Sequence, residues 1–140
     1  MNYLRKSFVD TAKTYFGVPY HPKYWQNEDE KYFNAPLYLD CSGLIRQVIK
    51  DLRFKFGFEL GMWNQAYQYD TLPIDLTFDQ MRPGDLVFYS GTYYNTEFPP
   101  QKHDIVHVEI FTGGPTGEQT IGARLQRGVI QYFDSYKFKS

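Results

Sequence analysis

The sequence predicts an α+β domain in which N-terminal helices pack on an antiparallel β-sheet. Three observations carry this expectation. Apolar residues recur at helical spacing in two stretches of the first half, Leu4-Phe8-Ala12-Phe16 and Leu44-Ile45-Val48-Ile49-Leu52. From Leu86 onward the pattern changes to short apolar runs punctuated by glycine. Helices come first and strands follow consecutively, which is the order of an α+β domain rather than of alternating βα units. The chain has 140 residues, with no internal repeat, low-complexity tract or linker, so we expect a single domain over residues 1–140, long enough for a real core.

Each element has its own signal. Tyr3 to Phe16 reads as a helix with Arg5, Lys6 and Asp10 turned to water; Gly17 suits a left-handed ending and Pro19 prevents resumption. Tyr20 to Tyr38 lacks periodicity, holds an acidic patch at Glu28-Asp29-Glu30 and is rich in aromatics, so it reads as a packed loop beside a groove. A second helix starts after Asp40 and ends near Leu52 to Arg53. Phe54, Phe56 and Phe58 alternate with Lys55 and Gly57, the pattern of a short extended piece. Met62 to Tyr69 reads as a brief helix, followed by a turn at Leu72-Pro73. Arg82-Pro83-Gly84-Asp85 is a turn leading into a strand over Leu86 to Tyr89. Gly91 to Asp104 is a loop. Ile105 to Thr112 is the clearest strand, with Val106, Val108 and Ile110 on one face and Ile105, His107, Glu109 and Phe111 on the other. Gly113 to Gly117 is a hairpin connection, and Gln119 to Arg124 and Gly128 to Phe133 complete a meander.

Composition narrows the function classes. Lys and Arg total 15 against 16 Asp and Glu, for a net charge of -1, so there is no basic footprint for nucleic acid or a membrane surface. No segment approaches transmembrane length. A single cysteine excludes an internal disulfide framework. Met1 to Lys6 has no apolar run behind its charges, so no signal peptide is expected and a cytoplasmic location follows. The 13 tyrosines and 12 phenylalanines suit either a groove wall or an aromatic core.

The chemistry-bearing stretch is Asp40-Cys41-Ser42-Gly43-Leu44. Asp40 is a good N-cap, which places Cys41 in the first turn of a core-facing helix, where unpaired N–H groups and the helix dipole favour a thiolate. A lone cysteine on such a face is also commonly a small core residue. A cysteine nucleophile needs a base, usually histidine, and a group that orients the base. Of the three histidines, His107 is mid-strand on rigid backbone, whereas His21 and His103 lie in loops. If the Cys41 helix packs on the His107 face of the sheet, sulfur and imidazole meet. No metal or other cofactor is expected: His103 and His107 are four residues apart, about 13 Å along a strand and too far for one zinc.

Read jointly, these motifs resemble the NlpC-like cysteine peptidase family of the papain-like clan. Gly17-Val18-Pro19-Tyr20 is similar to the family's loop after the first helix, Asp40-Cys41-Ser42-Gly43-Leu44 to its nucleophile motif, Arg82-Pro83-Gly84-Asp85-Leu86-Val87-Phe88 to its first core strand, and His107-Val108-Glu109-Ile110-Phe111 to its histidine strand. The resemblance implies a papain-like NlpC-type fold and a hydrolase of peptide or isopeptide amide bonds. Cys41 would be the nucleophile, His107 the general base and then acid, and the backbone N–H of Cys41 an oxyanion donor. It further implies that Tyr20, Asp40 and Ser42 shape the substrate pocket.

Two departures stand out. The family supplies a polar residue on the strand after the histidine strand to orient the imidazole; here the matching position is Gly122, which has no side chain. Glu109 shares a face with His107 about 7 Å along the strand and is the expected replacement, with Gln119 and Gln131 as alternatives, while a simple structural bond from Glu109 to loop backbone or Arg124 is the competing reading. The Tyr20–Tyr38 loop stands where the family has a short Gly-rich stretch, so the substrate need not be cell-wall peptide; an intracellular peptide or protein tail fits. The rival from another class is a catalytically weakened domain kept as a binding or structural module in a larger assembly. Acyl transfer to or from lipid by the same pair is a third reading, without a membrane-facing segment to support it.

Overall fold

The first helical stripe forms α1 over Tyr3–Lys13, burying Phe8, Val9 and Ala12. Asn2 caps it, its side chain accepting from the Leu4 amide at 2.8 Å. The helix ends three residues before Phe16, because Tyr15 and Phe16 donate to the carbonyls of Ala12 and Lys13, a tighter turn that satisfies the last helical acceptors. Gly17 follows at φ 86. The structure is a computed structural model that describes residues 2–19, 40–60, 65–90, 105–124 and 128–138.

The second stripe forms α2 over Cys41–Asp51. Its cap is Asp40, whose carboxylate accepts from the Gly43 amide at 2.6 Å. Leu44, Ile45, Val48 and Ile49 are its buried apolar face, as the spacing requires. The phenylalanine alternation does not form an extended piece. Arg53–Phe56 is instead a further helical turn, α3, begun by bonds from Lys55 and Phe56 to the Leu52 carbonyl and stopped at Gly57, φ 83. Only one ring of the alternation is used in the core: Phe56 stacks on Phe8, while Phe54 is 86% exposed. The period-2 pattern was therefore fortuitous, and continuation from α2 overrode it. The brief helix is α4, Gln65–Thr71. A 3₁₀ turn at Phe78–Gln80, absent from the sequence reading, is closed by a reciprocal capping box between Thr77 and Gln80.

Four strands follow: β1 Leu86–Ser90, β2 Ile105–Gly113, β3 Gln119–Ala123 and β4 Ile130–Phe133. They pair antiparallel in the order β1-β2-β3-β4, the expected meander. Tyr89 stands opposite His107, and Ile110 opposite Ile121, which sets Glu109 across from Gly122. Alternation splits β2 cleanly. Val108 and Ile110 join Ile121, Ala123 and the buried faces of α1 and α2 in one core; His107 and Glu109 project from the other face. At the far edge, Arg5 of α1 bonds Asp85 at 2.7 Å and ties the first helix to the turn before β1. No helix among the described residues is long and apolar enough to cross a membrane.

Candidate active site

Cys41 is the first residue of α2 and is 6% exposed. Its Sγ lies 4.0 Å from Oε1 of Gln65, whose own Nε2 donates to the Ile105 carbonyl at 2.9 Å. Backbone amides of Ser42 and Val108 are directed at the sulfur. The Val108 nitrogen is two covalent bonds from the Cα of His107, so the thiol sits beside the backbone of the histidine strand. Its route there differs from the sequence expectation. α2 packs on the Val108–Ile110 face rather than the His107 face, and the sulfur meets β2 at its backbone.

The thiol's acidity also departs from expectation. The helix start does present its Ser42 amide, and with Val108 this lowers the pKa. Burial raises it more, the Asp40 carboxylate one residue away adds to the rise, and Glu109 contributes in the same direction. The net shift is well above the ordinary thiol value, so Cys41 rests as a neutral thiol. The helix dipole does not act alone at this end, because the cap that creates the helix end also brings a negative charge.

On the opposite face of β2 lies a dense polar cluster. His107 Nε2 and Glu109 Oε2 are 2.8 Å apart. Thr120 donates to Glu109 Oε1 at 2.6 Å. Arg124 grips both carboxylate oxygens, Nε to Oε2 at 2.6 Å and its terminal nitrogen to Oε1 at 2.9 Å. Glu109 is fully buried. Burial alone would raise its pKa, but the bonds from His107, Arg124 and Thr120 outweigh it and hold the carboxyl below its ordinary value. An ionised carboxylate only accepts, so the imidazole must donate from Nε2, which leaves a lone pair on Nδ1 in the neutral ring. The ring is fixed from its sides too: Tyr89 lies 5.2 Å away and Phe138 packs edge-on at 5.4 Å.

Gly122 explains why this carboxylate fits. A Cβ there would stand 2.9 Å from Glu109 Cγ and 3.1 Å from its Cδ. The space that a side chain on β3 would fill is taken by Glu109 from β2. The two alternatives lie elsewhere: Gln119 accepts from Thr112, and Gln131 donates to the Val129 carbonyl. The competing bond to Arg124 exists as well, on the same carboxylate that holds His107.

Asp40 and Ser42 stand at the head of α2, joined by a bond from Ser42 Oγ at 3.3 Å. Tyr20, His21 and His103 lie outside the described residues, as do the Tyr20–Tyr38 and Gly91–Asp104 loops. Gln65 and Arg124 are the site's additions. Arg124 had a sequence signal only as a rival partner for Glu109, and Gln65 had none, because it comes from a short helix whose position only the fold reveals. A groove of about 1080 Å³ lies between α1, α3 and β1, and neither Cys41 nor His107 lines it. Among the described residues, no group of three or more His, Cys, Asp or Glu could hold a metal ion.

Comparison with known proteins gives this arrangement a context. A search of curated proteins found no match. Among solved structures, the NlpC/p60 domain of the peptidoglycan hydrolase SagA is similar at 26% identity and TM-score 0.61, covering 95% of this chain and 89% of that one. The P60 domain of the M. avium subspecies paratuberculosis antigen MAP1204 is similar at 21% identity and TM-score 0.64, covering 95% and 86%. NlpC1 from Trichomonas vaginalis is similar at 21% identity and TM-score 0.62, with this chain spanning 40% of its length. The last two speak to the papain-like fold alone. A model of the NlpC/P60 family matches residues 17–136, a span running from the loop after α1 through both strands that build the polar cluster, and the chain belongs to that family.

Proposed function

We propose that the protein is a thiol hydrolase that cleaves a peptide or isopeptide amide bond with Cys41 as nucleophile, His107 as base and acid, and Glu109 as the group that orients the imidazole. The observation that carries this reading is the 2.8 Å bond between His107 Nε2 and Glu109, made in the space left open by Gly122. It restores, from the histidine strand itself, the orienting group that Gly122 cannot supply.

The steps follow from the protonation states. Cys41 starts neutral. His107 Nδ1 takes the thiol proton as sulfur attacks the carbonyl carbon, and Glu109 stabilises the imidazolium that forms. The backbone N–H of Cys41 at the helix start faces the developing oxyanion. The imidazolium then protonates the leaving amine, and water, activated by His107, releases the acid from the thioester. Asp40, whose charge lies next to the nucleophile, Ser42 and Tyr20 are the proposed pocket residues; a carboxylate there favours a substrate carrying an amino group. The domain of SagA suggests cell-wall peptide as one substrate class, and an intracellular peptide or protein tail is the other.

The test is mass spectrometry of a peptide library, cell-wall stem peptides included, incubated with wild type, Cys41→Ala and His107→Ala. Cleavage present in the wild type, lost with Cys41→Ala and reduced about 10²–10⁴-fold with His107→Ala supports the reading. One observation favours a second reading, a non-catalytic binding module: Cys41 and His107 are 6% and 7% exposed. That reading expects no cleavage, and iodoacetamide labelling of Cys41 that does not depend on His107.

A further inference from the structure

We propose that Arg124 is a positioning residue for His107, acting through Glu109 and itself held by the segment that follows β4. The inference rests on the hydrolase reading only for the reaction it serves; the geometry stands without it. A carboxylate on the histidine strand brings a full negative charge into a fully buried position. An amide would have oriented the imidazole without one. The charge is tolerable only with a fixed positive partner. Arg124 supplies that partner in the two-pronged form that also fixes direction. A carboxylate gripped on both oxygens cannot rotate away from the imidazole.

The guanidinium is held in turn. Phe133 lies 3.9 Å from its central carbon and Phe138 lies 3.6 Å from it. The stacking suits a planar cation better than an ammonium. The same terminal nitrogen that bonds Glu109 also donates to the Ser135 carbonyl at 2.9 Å. The Phe138 ring thus packs against both the Arg124 guanidinium and the His107 ring, the latter at near right angles with 5.4 Å between ring centres. Tyr89 closes the set, its ring 4.9 Å from Phe138 and its hydroxyl donating to the Tyr136 carbonyl. So residues 133–138 wrap the polar face of the sheet, and the order of support runs from that wrap to Arg124, to Glu109, to the imidazole. Among the described residues, the titratable and charged groups that act on His107 or Glu109 include Tyr89 from β1, Arg124 just after β3 and Cys41 at the head of α2. Tyr89 stays neutral, its phenol pushed up by burial first and by the Glu109 charge next.

The experiment is nitrogen NMR of ¹⁵N-histidine-labelled protein, with steady-state kinetics on the peptide the wild type cleaves best, for wild type, Arg124→Gln, Arg124→Lys and Phe138→Leu. The wild type is expected to show a single fixed state of His107 with a proton held on Nε2, toward Glu109. Arg124→Gln is expected to show a mixture of the two tautomers and about a tenfold loss of kcat with KM held within about twofold. Arg124→Lys, which restores the charge without the fork, falls between, and Phe138→Leu shifts the same way by less. A wild-type tautomer and kcat in Arg124→Gln, with only a lower melting temperature, would overturn the proposal. If Arg124→Gln does not fold, Phe138→Leu decides, and an unchanged tautomer there overturns it equally. The spectrum needs no substrate. A fixed tautomer lost in Arg124→Gln, in a protein that cleaves no peptide, would sink the hydrolase and keep the positioning role.

Discussion

The two faces of β2 are built on opposite principles. On one, Val108 and Ile110 press against Leu44, Ile45 and Val48 of α2, and nothing there has a direction. Dispersion and burial accept any side chain of the right volume, at a cost of usually less than about 1.5 kcal/mol for a volume-conserving swap. On the other, His107, Glu109, Thr120 and Arg124 form one connected set in which each polar atom's partner is specified. Removing any member strands a buried donor, acceptor or charge. Residues one position apart in sequence therefore differ sharply in what they tolerate. The apolar face makes the domain fold, and the polar face makes one geometry of it.

That contrast can be broken most directly at Glu109. Glu109→Ala leaves the Arg124 guanidinium largely buried without its partner, which destabilises by about 3–5 kcal/mol. Ile110→Val, one position on, should cost only about 0.5–1.5 kcal/mol. Urea unfolding of the two variants reads the difference; equal losses would mean the polar cluster is held by water rather than by its own members.

Gly122 sharpens the comparison by a swap. Gly122→Asn forces its new side chain into Glu109, where even the Cβ stands 2.9 Å from Cγ, and overpacking of this kind costs about 1–3 kcal/mol. Glu109→Gly in the same chain clears that space. The pair Glu109→Gly/Gly122→Asn should recover much of the strain energy that Gly122→Asn introduces, although Arg124 then lacks its carboxylate. A double-mutant cycle reports this as a coupling energy of about 0.5–3 kcal/mol favouring the pair. Additive effects would show that the two positions do not share one space.

Acid should act on the polar face first. The folded-state pKa of Glu109 is held below its unfolded value by His107, Arg124 and Thr120 against the opposing effect of burial. A depressed carboxylate stabilises the fold fully above its unfolded pKa, about 4.3, and that contribution disappears as pH falls through the lower folded value. Wild type should lose stability in this window with a steeper slope than Glu109→Gln, which keeps only the dependence from its other depressed carboxylates, Asp10, Asp79 and Glu118. Matching slopes in the two proteins, from denaturant melts between about pH 2 and 5, would contradict the depression.

How much of this was legible depended on the face. Residues of the apolar face could be assigned from spacing because burial imposes a period, 3.6 in α2 and 2 in β2. The same rule misled at Phe54-Lys55-Phe56, where chain continuity from α2 outweighed a chance alternation. Glu109 was legible because it lies two residues from His107 and the period of a strand puts both on one side. Its clamp was not, because bonding to His107 and bonding to Arg124 looked like alternatives; a carboxylate has two oxygens, and the fold uses both. Gln65 was silent, since nothing in a seven-residue helix says which buried atom it will meet.

The smallest expected effect on stability tests where the two faces meet, at the head of α2. Asp40 has two roles there that point in different directions. As an N-cap it accepts from the Gly43 amide at 2.6 Å. As a charge it raises the pKa of Cys41, second only to burial. Asp40→Asn separates them, because asparagine caps about as well as aspartate but is neutral. Stability should change by no more than a few tenths of a kcal/mol, whereas Asp40→Ala, which lacks the cap, should cost about 1 kcal/mol. The Cys41 titration, followed by thiolate absorbance, should move down in Asp40→Asn while remaining above that of a free thiol, since burial persists. If the titration does not move, the carboxylate is screened from the sulfur and its place beside Cys41 matters only for the cap. If it moves down and cleavage nonetheless falls, the charge is wanted by the substrate rather than tolerated by the thiol, which is what a pocket for an amino group requires.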